Sequence, residues 1–157
     1  MEDLALYGVT GWPLGQSLSP LLHNTGFQAL RLPAAYARWE VPPEKLPAFV
    51  ESVRLYFAQN IEKPLALDQV CDANGCSRVA LQQAFRARTR MGPMEYFSCM
   101  KAEQAALLLT QGYGPGETAR MLGYGSLAWF SRRFHALTGQ TPGAYRRAPH
   151  PLHLCER

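Results

Sequence analysis

The chain has no apolar run near the roughly 20 residues that a membrane-spanning helix requires. It also lacks a basic start followed by an apolar stretch. Met1-Glu2-Asp3-Leu4 is acidic instead, which argues against a secretory leader and sets the expectation of a cytoplasmic protein. Cysteine is sparse: Cys71, Cys76, Cys99 and Cys155 have spacings that match no paired-ligand zinc site. They read as reduced, mostly buried small apolar side chains. His150, His153 and Cys155 cluster near the C-terminus, where a frayed tail is the preferred reading over a metal site. No G-x-G-x-x-G turn stands between a strand and a helix, so no dinucleotide cofactor is expected, nor any other.

Charge is modest and unevenly placed. Of 157 residues, 18% are charged and 47% apolar, which are globular values and fit one ordinary domain or two small ones. Residues 1–52 carry three basic and five acidic side chains, whereas the remainder carries thirteen and seven. The basic part is rich in Arg, which favours a polyanionic partner. Solvated basic helix faces are common, so this charge gains meaning only from the motif that bears it.

That motif is a repeat. Ser77, Phe85, Ala87, Thr89, Pro93 and Tyr96 recur 49 positions later as Ser126, Phe134, Ala136, Thr138, Pro142 and Tyr145. A period of this size is one supersecondary unit used twice. In the first copy, Leu67 to Ala73 reads as a short helix broken by Asn74-Gly75. Ser77 then caps a helix that buries Leu81, Ala84 and Phe85. In the second, Pro115 fits a first helical turn, Thr118 to Leu122 supplies the short helix, and Gly123-Tyr124-Gly125 makes the turn. Ser126 caps a helix through Thr138 with Phe130 and Phe134 inward at i and i+4. Between the copies, Pro93 to Gln111 reads as an amphipathic helix with Met94, Phe97, Met100, Ala105 and Leu108 as its apolar stripe. This pattern predicts helix-turn-helix geometry, in which the second helix of each unit enters a major groove. A rigid connector would let the two readers meet groove faces about 34 Å apart. A plain helical bundle with polar second helices is the simpler alternative.

Three segments sharpen the reading: Ala119-Arg120-Met121-Leu122-Gly123-Tyr124, Phe130-Ser131-Arg132-Arg133-Phe134, and Thr138-Gly139-Gln140-Thr141-Pro142 with Tyr145-Arg146. With Leu67, Gly75, Ser77, Leu81, Phe85, Gly92 and Tyr96 in the first copy, they make residues 53–147 resemble the DNA-binding domain of AraC/XylS-type transcription regulators. The resemblance implies a mainly α fold, with tandem helix-turn-helix units built from about seven helices. It points Arg78, Val79, Gln82 and Gln83 of the first reading helix at base edges, and Leu127, Ala128, Ser131 and Arg132 of the second. Arg pairs bidentately with guanine and Gln with adenine, while Val79, Leu127 and Ala128 offer apolar contact to thymine methyls. Arg86, Arg88, Arg133, Arg146 and Arg147 are assigned to phosphates or to a solvated surface.

The front of the chain differs. Leu4 to Val9 and Ala35 to Val41 read as strands, with helices from Ser19 or Pro20 and from Pro42-Pro43-Glu44. Strand, helix, strand, helix is the start of a parallel α/β layer. Gly8-Val9-Thr10-Gly11-Trp12-Pro13, Ser17-Leu18-Ser19-Pro20 and His23-Asn24 make residues 3–54 resemble the N-terminal substrate domain of shikimate dehydrogenase. In that family a Ser-x-Ser pair holds the shikimate carboxylate, which maps to Ser17 and Ser19, beside a helix start that favours anions. The simpler reading makes Ser19 an N-cap and Ser17 a loop residue. Gln16 stands where the family usually has His. The resemblance stops near Leu55, before the family's catalytic Lys, its partner Asp and its cofactor domain, so no enzymatic activity is expected.

The expected organisation is a partial, small α/β (βαβα) fragment over 1–52, a double helix-turn-helix domain over 53–148 and a tail over 149–157. The fragment is expected to be either poorly ordered or completed by homodimerisation. Expected partners are double-stranded DNA and a small shikimate-like carboxylate, with no membrane. The leading function is a sequence-specific DNA-binding transcription regulator. Alternatives are a truncated shikimate dehydrogenase retaining at most partial substrate binding, and a fusion whose DNA-binding half folds but regulates nothing.

Overall fold

The computed structural model describes residues 5–11, 15–40 and 45–155. In chain order these form β1 (Ala5–Gly11), α1 (Ser19–Ala29), β2 (Ala34–Glu40), α2 (Leu46–Gln59) and α3 (Leu67–Ala73). Then come α4 (Arg78–Thr89), α5 (Pro93–Thr110), α6 (Pro115–Met121), α7 (Leu127–Thr138) and α8 (Pro142–Arg147). The described residues are thus mainly helical, with a βαβα start and seven helices from α2 onward. Strand β1 runs on through Thr10 and Gly11, two residues past the expected end at Val9; residues 12–14 and 41–44 lie outside the described residues.

Strands β1 and β2 pair in parallel, from Ala5 opposite Ala34 to Gly11 opposite Glu40. The Asn24 side-chain amide on α1 donates to the Tyr36 carbonyl at 2.8 Å and accepts from the Tyr36 N–H at 2.7 Å. It acts as a peptide surrogate, satisfying backbone groups that β2 does not pair with β1. His23 stacks on Tyr36 at 4.3 Å. Helix α1 nevertheless buries no residue. Its start also differs from the capping alternative: the N-cap position is Leu18, whose carbonyl accepts from Leu22 N–H at 3.1 Å. The first turn therefore closes one residue earlier, and Ser19 is already helical.

Helix α2 is continuous across the junction between the two sequence styles and buries Val50, Val53 and Phe57, spaced for one helix face. They enter a first core with Val70, Leu81, Phe85, Tyr96 and Phe97. A second core gathers Ala105, Leu122, Phe130, Phe134, Tyr145 and Leu154, and Ile61, Met91 and Cys155 border both. Helix α5 serves both cores, which corrects the expected stripe. Met94 and Met100 are only half-buried, whereas Tyr96, Cys99, Lys101, Ala102, Ala106 and Leu109 are buried as well. A helix packed on two sides is buried around most of its circumference, so no single stripe describes it.

The segment after α8 is docked rather than frayed. Leu154 is buried, and one Glu103 carboxylate oxygen accepts from the N–H groups of Leu154 and Cys155. The Tyr145 hydroxyl donates to the His150 carbonyl. None of the four cysteines forms a disulfide; Cys71 and Cys99 are buried, and burial pushes the Cys76 and Cys155 thiols up to about 12. No helix among the described residues is long and apolar enough to cross a membrane.

Candidate nucleic-acid interface

The two helices expected to meet DNA, α4 and α7, are set by matching local devices. Ser77 Oγ accepts from Ala80 N–H at 3.2 Å to cap α4, and Ser126 Oγ accepts from Trp129 N–H at 3.1 Å to cap α7. At the far ends, Thr89 Oγ1 donates to the Phe85 carbonyl at 2.7 Å and Thr138 Oγ1 to the Phe134 carbonyl at 2.8 Å. Each helix thus turns its phenylalanines inward, Phe85 on α4 and Phe130 and Phe134 on α7.

The turns before them are unequal. Helix α3 begins at Leu67 and α6 at Pro115, 48 positions on, whereas α4 begins at Arg78 and α7 at Leu127, 49 positions on. Gly75 (φ 59°) corresponds to Gly123 (φ 68°), and Cys76 N–H bonds the Cys71 carbonyl as Tyr124 N–H bonds that of Ala119. Gly125 is therefore the added residue. The aligned repeat begins at Ser77, after the turn, and does not reveal it.

On α4, Arg78, Val79, Gln82, Gln83 and Arg86 are all exposed, Val79 by 55%. Arg78 is not idle: its Nε and Nη2 donate to the two carboxylate oxygens of Asp68 on α3. That paired hydrogen bond holds the Asp68 carboxyl below its ordinary range and raises the Arg78 guanidinium. A planar fork so engaged is oriented, and a base would compete with Asp68 for it. On α7, Leu127, Ala128 and Arg132 are exposed, while Ser131 and Arg133 are half-buried. Arg86, Arg88, Arg146 and Arg147 are exposed cations.

Sequence reasoning missed Trp129. It lies on α7 between the exposed Ala128 and the buried Phe130, 55% exposed, with the Arg132 guanidinium 6.0 Å from its ring centroid. Its position off the Phe130/Phe134 stripe was the available signal. At the front end, Ser17 and Ser19 are both half-buried at the start of α1.

The helix-turn-helix domain family model matches residues 70–148, half of the chain, and covers both reading helices. The chain belongs to the AraC-type helix-turn-helix family. A second model, the shikimate dehydrogenase substrate binding domain, matches residues 9–61 and so ends just beyond α2. The AraC-type chain is 28% identical over 137 residues to the HTH-type transcriptional activator RhaR of Salmonella schwarzengrund, covering 85% of this chain and 48% of RhaR. It is 61% identical over 51 residues to the NADP(+) shikimate dehydrogenase of Pelobacter propionicus, covering 32% of this chain and 18% of that enzyme. It therefore spans about half of one relative and under a fifth of the other. Among solved structures, a transcriptional regulator with an AraC-type DNA-binding domain from Chromobacterium violaceum superposes with a TM-score of 0.58 at 27% identity. That likeness covers 69% of this chain and all of the other.

Proposed function

We propose that this AraC-type chain is a sequence-specific transcription regulator that reads two adjacent major-groove segments of double-stranded DNA with α4 and α7. The observation that carries the reading is the pairing of identical caps and inward aromatics with different outward residues. Arg78, Val79, Gln82 and Gln83 stand on one helix, and Leu127, Ala128, Ser131 and Arg132 on the other. A shared scaffold with divergent exposed faces is what two non-identical base readers require. Arg86, Arg133 and Arg146 would add phosphate contacts, which position a protein without specifying sequence.

For the front end, the reading is a vestigial carboxylate site at Ser17 and Ser19, supported by the dehydrogenase match over this segment. Self-association is part of the same reading. Leu18, Leu21, Leu22 and Leu30 are between 66% and 71% exposed, and a two-stranded sheet is below the size that is stable by itself. A second copy laid against α1 would bury them. Oxidation of shikimate is not part of the reading: the dehydrogenase match is to a substrate binding domain over residues 9–61, and the helix-turn-helix match takes up residues 70–148. Selection of bound duplexes from a random pool, with and without shikimate, tests both halves. A single enriched motif supports the reader, and a shikimate-dependent change supports the sensor. No enrichment would sink the first, and an unchanged motif the second.

A further inference from the structure

The two units are joined by more than the backbone of α5. Lys101, in the middle of that helix, is only 7% exposed. Its Nζ donates to two carbonyls at 2.8 Å each: Lys63 in the loop before α3, and Leu122 at the C-terminal end of α6. The ammonium also sits 5.1 Å from the Phe97 ring centroid and 5.2 Å from that of Tyr124. One acceptor belongs to the first unit and one to the second. Beside it, Gly123 packs so tightly that a Cβ there would collide with the Glu62 carbonyl oxygen. The loop 61–63 and the turn 123–125 therefore meet directly, with the Lys101 cation bridging them.

A buried ammonium is costly unless its donors are satisfied. Burial does lower the Lys101 pKa, yet two carbonyls and two ring faces compensate the cation. Its attachment to the helix terminus of α6 is favourable as well, because the last carbonyls of a helix carry partial negative charge. An apolar residue would fill the same space at no desolvation cost but could not tie the two carbonyls together. The lengthened second turn brings Tyr124 against this cation and against Phe130 of the reading helix, at 5.2 Å. The chain of contact thus runs from the first unit's loop through Lys101 to the reading helix α7.

We infer that Lys101, seated against the Glu62–Gly123 contact, is a positioning residue that fixes the spacing and phase at which α4 and α7 meet DNA. This rests on the DNA-reading function proposed above. Two readers on one rigid body accept one separation, and a base pair inserted between their segments shifts one site by about 3.4 Å and a tenth of a turn. Without the latch, α5 still connects the units, but their relative tilt is less defined.

The test uses the full chain, its selected duplex, and that duplex with one base pair inserted between the two recognised segments. Wild type should lose at least about tenfold in affinity on the insertion. K101M should bind the parent duplex more weakly and lose no more than about threefold on the insertion, while K101R should restore the wild-type ratio. An unchanged insertion ratio in folded K101M overturns the inference. Should K101M not fold, as judged by its helical circular dichroism, Gly123→Ala carries the test. It leaves Lys101 in place but displaces Glu62, and its ratio must fall in the same way; an unchanged ratio again overturns the inference. If wild type selects no duplex at all, the DNA-reading function itself fails and takes this inference with it. A selected duplex with an unchanged ratio removes the latch alone.

Discussion

In the first unit Phe85 meets Tyr96 edge-on at 5.6 Å, and in the second Phe134 meets Tyr145 edge-on at 5.5 Å. The aromatic frame is repeated almost unchanged. Around it, the units diverge in ways that matter individually. After α4 the chain turns on Arg90 at φ 61°, where after α7 it turns on Gly139 at φ 76°. Buried Val70 of α3 corresponds to buried Thr118 of α6, whose hydroxyl oxygen has no hydrogen-bond partner among the described residues. Asp68 holds Arg78, whereas the matching positions are Gly116 and Leu127, which can form no ion pair. Duplication therefore preserved what shapes the unit and relaxed what decorates it.

The largest expected effect tests whether the frames are equivalent. Phe85→Ala and Phe134→Ala should each destabilise the fold by about 3–5 kcal/mol, measured by denaturant unfolding. A much smaller loss for one would show that its core collapses around the gap and that the units are not energetically matched. Next comes the contrast between readers. Arg132→Ala should cost about 1–3 kcal/mol and relax preference at one base position. Arg78→Ala should cost less, because Asp68 competes for its guanidinium. Competition binding on the selected duplex and its single-base variants would check this, and equal weakening on every sequence would make Arg132 a phosphate contact instead.

A smaller change addresses the buried difference. Thr118→Val should stabilise by about 1 kcal/mol, since it removes an unpaired buried hydroxyl from a site its counterpart fills with Val70. A loss of stability would mean that the hydroxyl has a partner in solution. The smallest effect concerns the turn after α4. Arg90→Gly should raise stability by about 0.5–1 kcal/mol, because glycine adopts a left-handed backbone without the Cβ penalty. No gain in thermal unfolding would indicate that greater unfolded-state freedom offsets that relief.

Much of the scaffold was legible in the chain itself. The serine caps, the inward aromatics, the α3 boundaries and the start of α5 at Pro93 all follow from local rules, because each depends on residues a few positions apart. Exposure on the reading helices was also legible for nine of the eleven assigned residues, as the face opposite a buried stripe, whereas Ser131 and Arg133 are half-buried. What escaped were facts that involve distant residues. The Asp68–Arg78 pair spans two helices, the docking of Leu154 needs Glu103 from α5, and the added Gly125 is visible only when helix starts are compared. In the front segment, residue pattern gave the two strands but not Asn24 as the group that satisfies the Tyr36 backbone on the edge of β2.

Sequence by itself determined the helices, their caps and the duplication, because helix formation is governed by periodicity and by the first and last turns. Only the tertiary structure decided how the two copies are held to one another. Lys101 looks in sequence like one more solvated cation of a basic segment. It becomes a bridge only when the loop at Lys63 and the helix end at Leu122 are brought to its ammonium from opposite sides. Satisfaction of a buried charge depends on groups 38 and 21 residues away, and no local pattern carries that information.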